Sequence, residues 1–99
     1  MSLYEIVLKP SAIDDLDRLR RYDAATVADG IEDFLAHEPT RQSRSRMKRL
    51  QGVQKADYRL RLGDYRVFYN VDTAERRVDV LRILHKERTR EFYEEEQEL

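Results

Sequence analysis

The chain opens on an alternation of apolar and polar positions. In YEIVLKP, Tyr4, Ile6 and Leu8 alternate with Glu5, Val7 and Lys9 before Pro10, which is the period of a strand, and the proline marks its end. The period then lengthens. Ile13, Leu16, Leu19 and Tyr22 form one apolar stripe of a predicted helix that stops near residue 22, with Ser11 placed as its cap and Asp14, Asp15 and Asp17 near its positive end. Val27, Ile31, Phe34 and Leu35 predict a second helix over 24–36, stopped by Glu38-Pro39. The pattern lapses in TRQSRSRMKRLQGVQK, whose substantial apolar residues are Met47, Leu50 and Val53. This stretch reads as loop, or as loop plus a short strand near 47–50.

Period two returns in three stretches, about 57–62, 65–72 and 77–84, joined by Gly63-Asp64 and by the five residues 72–76. Both links are of hairpin length, and Gly63 supplies the positive φ that a two-residue turn of the II′ kind needs at its first position. The last segment, about 86–97, is charged and rich in helix formers. The order β-α-α-β-β-β-α predicts an α+β fold with a four-stranded, antiparallel-dominated sheet, an N-terminal helical hairpin on one face and a short C-terminal helix. The whole chain, 1–99, reads as a single domain. The second sheet face is expected to stay open.

The hairpin YRLRLGDYRVFY carries the most information. With Gly63 and Asp64 as the turn, Leu62 falls opposite Tyr65, Arg61 opposite Arg66, Leu60 opposite Val67 and Arg59 opposite Phe68. Directly opposed residues share a face. Tyr58, Leu60, Leu62, Tyr65, Val67 and Tyr69 therefore form a core face, and Arg59, Arg61, Arg66 and Phe68 the other. Opposed like charges in a sheet cost up to ~1 kcal/mol, so the Arg61–Arg66 pair gains nothing for folding unless an acid or an outside anion answers it. Guanidinium forks bind phosphate oxygens two at a time and stay charged at any relevant pH.

Net charge is only −1, yet the charges are sorted along the chain. Residues 1–40 carry −5, residues 41–66 carry +7, residues 67–86 carry +1 and residues 87–99 carry −4. A local basic block in a neutral chain points to an anionic partner. Cysteine is absent, which excludes disulfides, thiolate metal sites and a thiol nucleophile. No apolar window approaches the ~20 residues that span a bilayer, and the start of the chain lacks a targeting pattern. The expectation is a cytoplasmic protein without a membrane partner. No Gly-rich phosphate loop, metal-spaced cluster or nucleophile elbow is present, and Glu94–Glu98 reads as a solvated helix end; no cofactor and no metal are expected.

An arginine is no ordinary general base, so chemistry at this face needs a titratable partner. His85, at the end of the last strand beside Lys86 and Arg88, is the first candidate; His37 looks like a helix-terminal histidine. On a helix from 86, Tyr93 shares a face with Lys86, Thr89 and Arg90 and is placed to stack or to move a proton. Phe68, among the arginines, is placed to stack on a base.

The order of elements, the hairpin YRLRLGDYRVFYNVD, the strand VDVLRILHK and the closing EFY resemble the RelE/ParE superfamily of toxins from bacterial type II toxin–antitoxin pairs. The resemblance covers essentially the whole chain, and its specific part is 57–93. The GDYRVFY segment and the late tyrosine look more like the RelE branch, whose members cleave messenger RNA on the ribosome, than the ParE branch, whose members poison DNA gyrase. By this resemblance Arg59 and Arg61 match two basic strand positions where relatives often have lysines, and Arg66 matches an arginine that helps bind the scissile phosphate. Tyr93 resembles the C-terminal tyrosine that stacks on the substrate base or transfers a proton, and His85-Lys86 the basic strand end leading into it. Thr89 stands where many relatives carry an arginine, flanked by Arg88 and Arg90. The resemblance implies a metal-independent endoribonuclease with catalytic Arg61, Arg66, His85 and Tyr93, and with Arg59, Arg61, Arg66, Phe68, Lys86, Arg88 and Arg90 on RNA. The implied partners are the ribosome with its messenger and a cognate antitoxin that covers this surface or displaces the final helix. Operator DNA is met only through the toxin–antitoxin complex.

Overall fold

The computed structural model describes residues 3–52 and 55–97; Val53 and Glu98, named above, lie outside them. Its strands are β1 (Glu5–Leu8), β2 (Met47–Arg49), β3 (Tyr58–Leu62), β4 (Tyr65–Asp72) and β5 (Arg77–His85). Its helices are α1 (Pro10–Asp17), α2 (Arg21–Leu35) and α3 (Thr89–Gln97), the last entered through a 3₁₀ turn at Lys86–Arg88. The strands form one mixed sheet in the order β1-β5-β4-β3-β2, in which only β1 and β5 run parallel. The fold is α+β, but the sheet has five strands where four were expected.

The fifth strand is β2. Only Met47 of its three residues is buried, so almost no periodicity marks it. Pairing with β3 stabilises it: Met47 lies opposite Leu60, and residues 42–43 cover its outer edge. There Ser43 N–H donates to Met47 O at 2.9 Å, and Arg49 N–H to Gln42 Oε1 at 3.3 Å. A covered edge leaves few backbone groups to recruit another strand.

α1 differs from its expected form. Pro10 opens it in the first turn, where its missing N–H costs nothing, and Lys9 is the cap residue without a side-chain bond. Ser11 is thus inside the helix rather than its cap. The helix ends at Asp17, and the face turned to the sheet carries Ala12 and Asp15. Ile13 is 45% exposed and Tyr22 80%, so neither belongs to the buried stripe. The reason lies at the edge of β5. Where β1 stops, Lys9 N–H donates to Val80 O, and farther along the same strand Asp15 Oδ2 accepts the N–H of Ile83 at 2.9 Å. Arg82 completes the arrangement, its Nε 2.7 Å from Asp15 Oδ2 and its Nη2 3.1 Å from Oδ1. Leu16 and Leu19 of the expected stripe do pack against the larger core, and a buried carboxylate satisfying a backbone donor stands beside them. The β4–β5 register shifts between Phe68 and Tyr69, whose partners are Arg82 and Val80, so Leu81 is an unmatched bulge residue.

α2 follows the pattern more closely. Val27, Ile31 and Leu35 are buried against Leu60, Val67, Tyr69, Val78, Val80 and Ile83 in the larger core. A Cβ on Gly30 would lie 2.7 Å from Leu62 Cδ2, so glycine permits the close approach of α2 to β3. Tyr69, fully buried, donates its hydroxyl to Pro39 O at 2.7 Å.

A second core forms on the opposite face, from Ala56, Phe68, Leu84 and Phe92, with Leu50, Leu81 and Tyr93 packed against it. α3 therefore roofs part of the face expected to stay open. Phe92 anchors it, its ring stacked on Phe68 with centroids 4.1 Å apart and planes at 12°. Among the described residues no helix is long and apolar enough to cross a membrane.

Candidate nucleic-acid interface

The β3–β4 hairpin has the expected register: Leu62 opposite Tyr65, Arg61 opposite Arg66, Leu60 opposite Val67, Arg59 opposite Phe68 and Tyr58 opposite Tyr69. Gly63 adopts φ +59°. The turn then returns the chain with aliphatic and tyrosine side chains towards the helices and the three arginines on the other face. Arg59, Arg61 and Arg66 are all half-buried.

Arg61 and Arg66 are each held by one edge of the fork. Arg61 Nε donates to Ser45 O at 2.8 Å, while its terminal nitrogens make no hydrogen bond or ion pair among the described residues. Arg66 Nη1 donates to Gly63 O at 2.9 Å and to Tyr65 O at 3.0 Å. Burial lowers the proton affinity of Arg66, the guanidinium charges of Arg59 and Arg61 lower it further, and Asp64 opposes them. The three cations thus act in one field, which an anion would relieve.

Phe68 does not join them at the surface. It is fully buried beneath Phe92, because the second core needs a large apolar residue there, and its ring has no free face for a base. Tyr93 lies on this side of the sheet, half-buried, with its ring edge-on to Phe68 at 5.7 Å and to Phe92 at 5.8 Å.

His85 is elsewhere. It pairs with Tyr65, whereas its neighbour Leu84 pairs with Arg66, so alternation puts the imidazole on the helix side and the arginines on the other. Its ring meets Tyr65 edge-on at 5.6 Å, and its Nδ1 accepts the N–H of Glu87 at 3.2 Å, capping the 3₁₀ turn. A cavity of ≈ 200 Å³ borders it, lined in part by Asp15, Arg18, Tyr65 and Arg88. The strand end therefore separates His85 from the phosphate-binding candidates instead of delivering it to them.

The remaining basic candidates divide by partner. Lys86 is tied to the hairpin turn, its N–H donating to Asp64 O at 2.7 Å and its Nζ 3.4 Å from Asp64 Oδ1. Arg88 is engaged by Glu91, with Nε 3.0 Å from Oε2 and Nη2 3.0 Å from Oε1. Arg90 is exposed on α3. Among the described residues no three His, Asp or Glu side chains gather as metal ligands.

The family model for the ParE toxin of type II toxin–antitoxin systems (parDE) matches residues 6–90. This chain belongs to the RelE/ParE toxin superfamily. It is 30% identical over 83 residues to Toxin RelE of Mycobacterium tuberculosis, an alignment covering 84% of this chain and 81% of that protein. Its fold is similar to the toxin–antitoxin complex RelBE2 of M. tuberculosis, with TM-score 0.75 and 28% identity, covering 86% of this chain and 93% of that one. It also resembles the archaeal RelE–RelB complex of Pyrococcus horikoshii OT3, with TM-score 0.70 and 27% identity, covering 89% and 99% respectively.

The fold of this RelE/ParE toxin brings in one cation that sequence patterning missed. Lys48 of β2 pairs directly with Arg59, so alternation puts it on the arginine face. Only the β2–β3 register reveals this, and a three-residue strand with a single apolar side chain carries no periodicity to announce it.

Proposed function

We propose that this RelE/ParE toxin is a metal-independent endoribonuclease that cuts messenger RNA on the ribosome and so arrests translation. The observation that carries the reading is the arginine face: Arg59, Arg61 and Arg66 in one field on a rigid strand pair, with the terminal nitrogens of Arg61 available. In this scheme the substrate's own 2′-hydroxyl attacks the adjacent phosphorus, the bond to the 5′-oxygen breaks, and the products are a cyclic phosphate and a 5′-hydroxyl. The 2′-hydroxyl loses a proton and the 5′-oxygen gains one. Arg61 and Arg66 hold the phosphate and answer the charge that grows on its oxygens, Arg59 extends the clamp, and Tyr93 is placed beside a substrate base. Lys86, Arg88 and Arg90 line the entrance to α3 as secondary phosphate contacts. His85 contributes by capping the 3₁₀ turn that leads into α3.

The partner that restrains the toxin is a cognate antitoxin, as in the RelB-bound relatives of similar fold. An antitoxin that covers the arginine face or displaces α3 would silence it, and operator DNA would be met only through that complex. The test expresses the wild type and Arg61→Ala/Arg66→Ala in a translating extract and maps messenger ends. New 5′-hydroxyl ends with the wild type alone support the reading, and intact transcripts with both overturn it. A second reading follows from the match to the ParE model: a gyrase inhibitor that does no chemistry. Loss of supercoiling in a purified gyrase assay, without RNA cleavage, would select it.

A further inference from the structure

We infer that Lys48 is the proton donor of this site. The inference rests on the ribonuclease reading above and supplies what the arginines lack. Breaking the bond from phosphorus to the 5′-oxygen leaves an alkoxide that must be protonated, and a guanidinium gives up its proton too reluctantly to serve. His85 faces the other side of the sheet. Lys86 is drawn to Asp64. Tyr93 has its ring packed edge-on against the stacked Phe68 and Phe92 pair.

Lys48 meets the requirements. Its register partner is Arg59, so the two side chains leave the sheet about 5 Å apart on one face, with Arg61 on the diagonal about 7–8 Å away. Four methylenes let the ammonium span that gap to a phosphate held by Arg61 and Arg66. Lys48 is exposed, and among the described residues its side chain makes no hydrogen bond or ion pair. Asp57, half-buried, lies two residues before Arg59 in the chain, just ahead of β3. Arg49, the next residue of β2, is committed to the other face, its Nη1 donating to Tyr58 Oη at 3.1 Å. An ammonium has three N–H donors and no acceptor, so Lys48 begins as an acid. As the 2′-oxygen bonds to phosphorus and the 5′-oxygen departs, the ammonium gives that oxygen its proton. The resulting amine takes a proton back from water, and the 2′-hydroxyl proton leaves to solvent.

A leaving-group substitution separates this role from simple charge neutralisation. Wild type, Lys48→Arg and Lys48→Ala are compared in single turnover on programmed ribosomes, with messenger carrying either a normal linkage or sulfur in place of the bridging 5′-oxygen at the cut. Thiolate departs without a proton. Both variants should be slowed roughly 10²–10⁴-fold on the oxygen linkage, and each should return close to the wild-type rate on the sulfur linkage. Lys48 is exposed, so unchanged thermal unfolding of the variants is expected and is checked alongside. If Lys48→Arg matches the wild type, or if both substrates are slowed alike, the assignment is overturned while the ribonuclease reading stands. If the wild type cuts neither substrate, that reading falls and the assignment falls with it.

Discussion

The arginine face should leave a measurable mark on stability before any RNA is added. Consider Arg66→Gln. Directly opposed and diagonal side chains on a strand pair are about 5 and 7–8 Å apart at their bases. At guanidinium separations of about 7 Å and an effective dielectric of ~40–80, each pair repels by ~0.6–1.2 kcal/mol. Arg66 faces two such partners, Arg59 and Arg61, so the substitution removes ~1–2 kcal/mol of repulsion at low salt. It also removes the hydrogen bonds from Nη1 to Gly63 O and Tyr65 O, a loss that salt scarcely changes. The Debye length shrinks from ~30 Å at 0.01 M salt to ~3 Å at 1 M. The stability of the variant relative to wild type should therefore fall by about 1 kcal/mol between those two conditions, or roughly 4–8 °C in relative midpoint for a chain of this size. Thermal or urea unfolding of both chains at the two sodium chloride concentrations measures it. Parallel salt dependences would refute the shared field.

Three further outcomes follow from packing and titration. Phe92→Ala removes the ring stacked on Phe68, a change costing ~3–5 kcal/mol in a rigid core. Because Phe92 is the buried anchor of α3, amide exchange should show protection lost across 89–94 and retained in β4 and β5. Gly30→Ala gains up to ~1 kcal/mol of helix propensity but drives a Cβ into Leu62. Urea midpoints for it, for Leu62→Ala and for the double variant should therefore reveal a coupling of about 1 kcal/mol favouring the double variant. Burial raises the pKa of the Tyr69 hydroxyl above its ordinary value of 10.0, with Tyr58 adding to the effect. The unfolded chain ionises there first, so the stability Tyr69 contributes is complete below pH ~10 and is lost as pH climbs beyond it. Tyr69→Phe should be less stable at neutral pH, by ~1–3 kcal/mol for the orphaned Pro39 carbonyl, and should flatten the alkaline limb of a pH–stability curve.

The hairpin was legible in the chain because its information is local. Gly63 sets the turn, the turn sets the register, and period two then assigns every side chain from Tyr58 to Tyr69 to a face. α2 was legible for a similar reason, with Val27, Ile31 and Leu35 one helical turn apart. α1 was misjudged where a distant residue intervened: Asp15 is buried because Arg82 and the Ile83 N–H wait for it, 67 and 68 positions away. Phe68 shows the same limit, since alternation placed it among the arginines and only Phe92 of α3 decided that it would be buried. His85 ends the strand beside Lys86 and Arg88, as the sequence suggests, but its register partner is Tyr65 while Leu84 pairs with Arg66, so it emerges on the side away from the hairpin arginines.

By itself, then, the sequence determined what depends on near neighbours: the helices over 24–36 and near the end, the hairpin, the sign of its outer face and the absence of cysteine chemistry. Tertiary structure decided what depends on contacts between segments far apart in the chain. The parallel β1–β5 pairing, the short β2 that sets Lys48 against Arg59, the burial of Phe68 and the side on which His85 emerges all belong there. The physical reason is that period and turn geometry act over a few residues, whereas register between separate strands and the roofing of a face by a helix arise only when the whole chain shares one core.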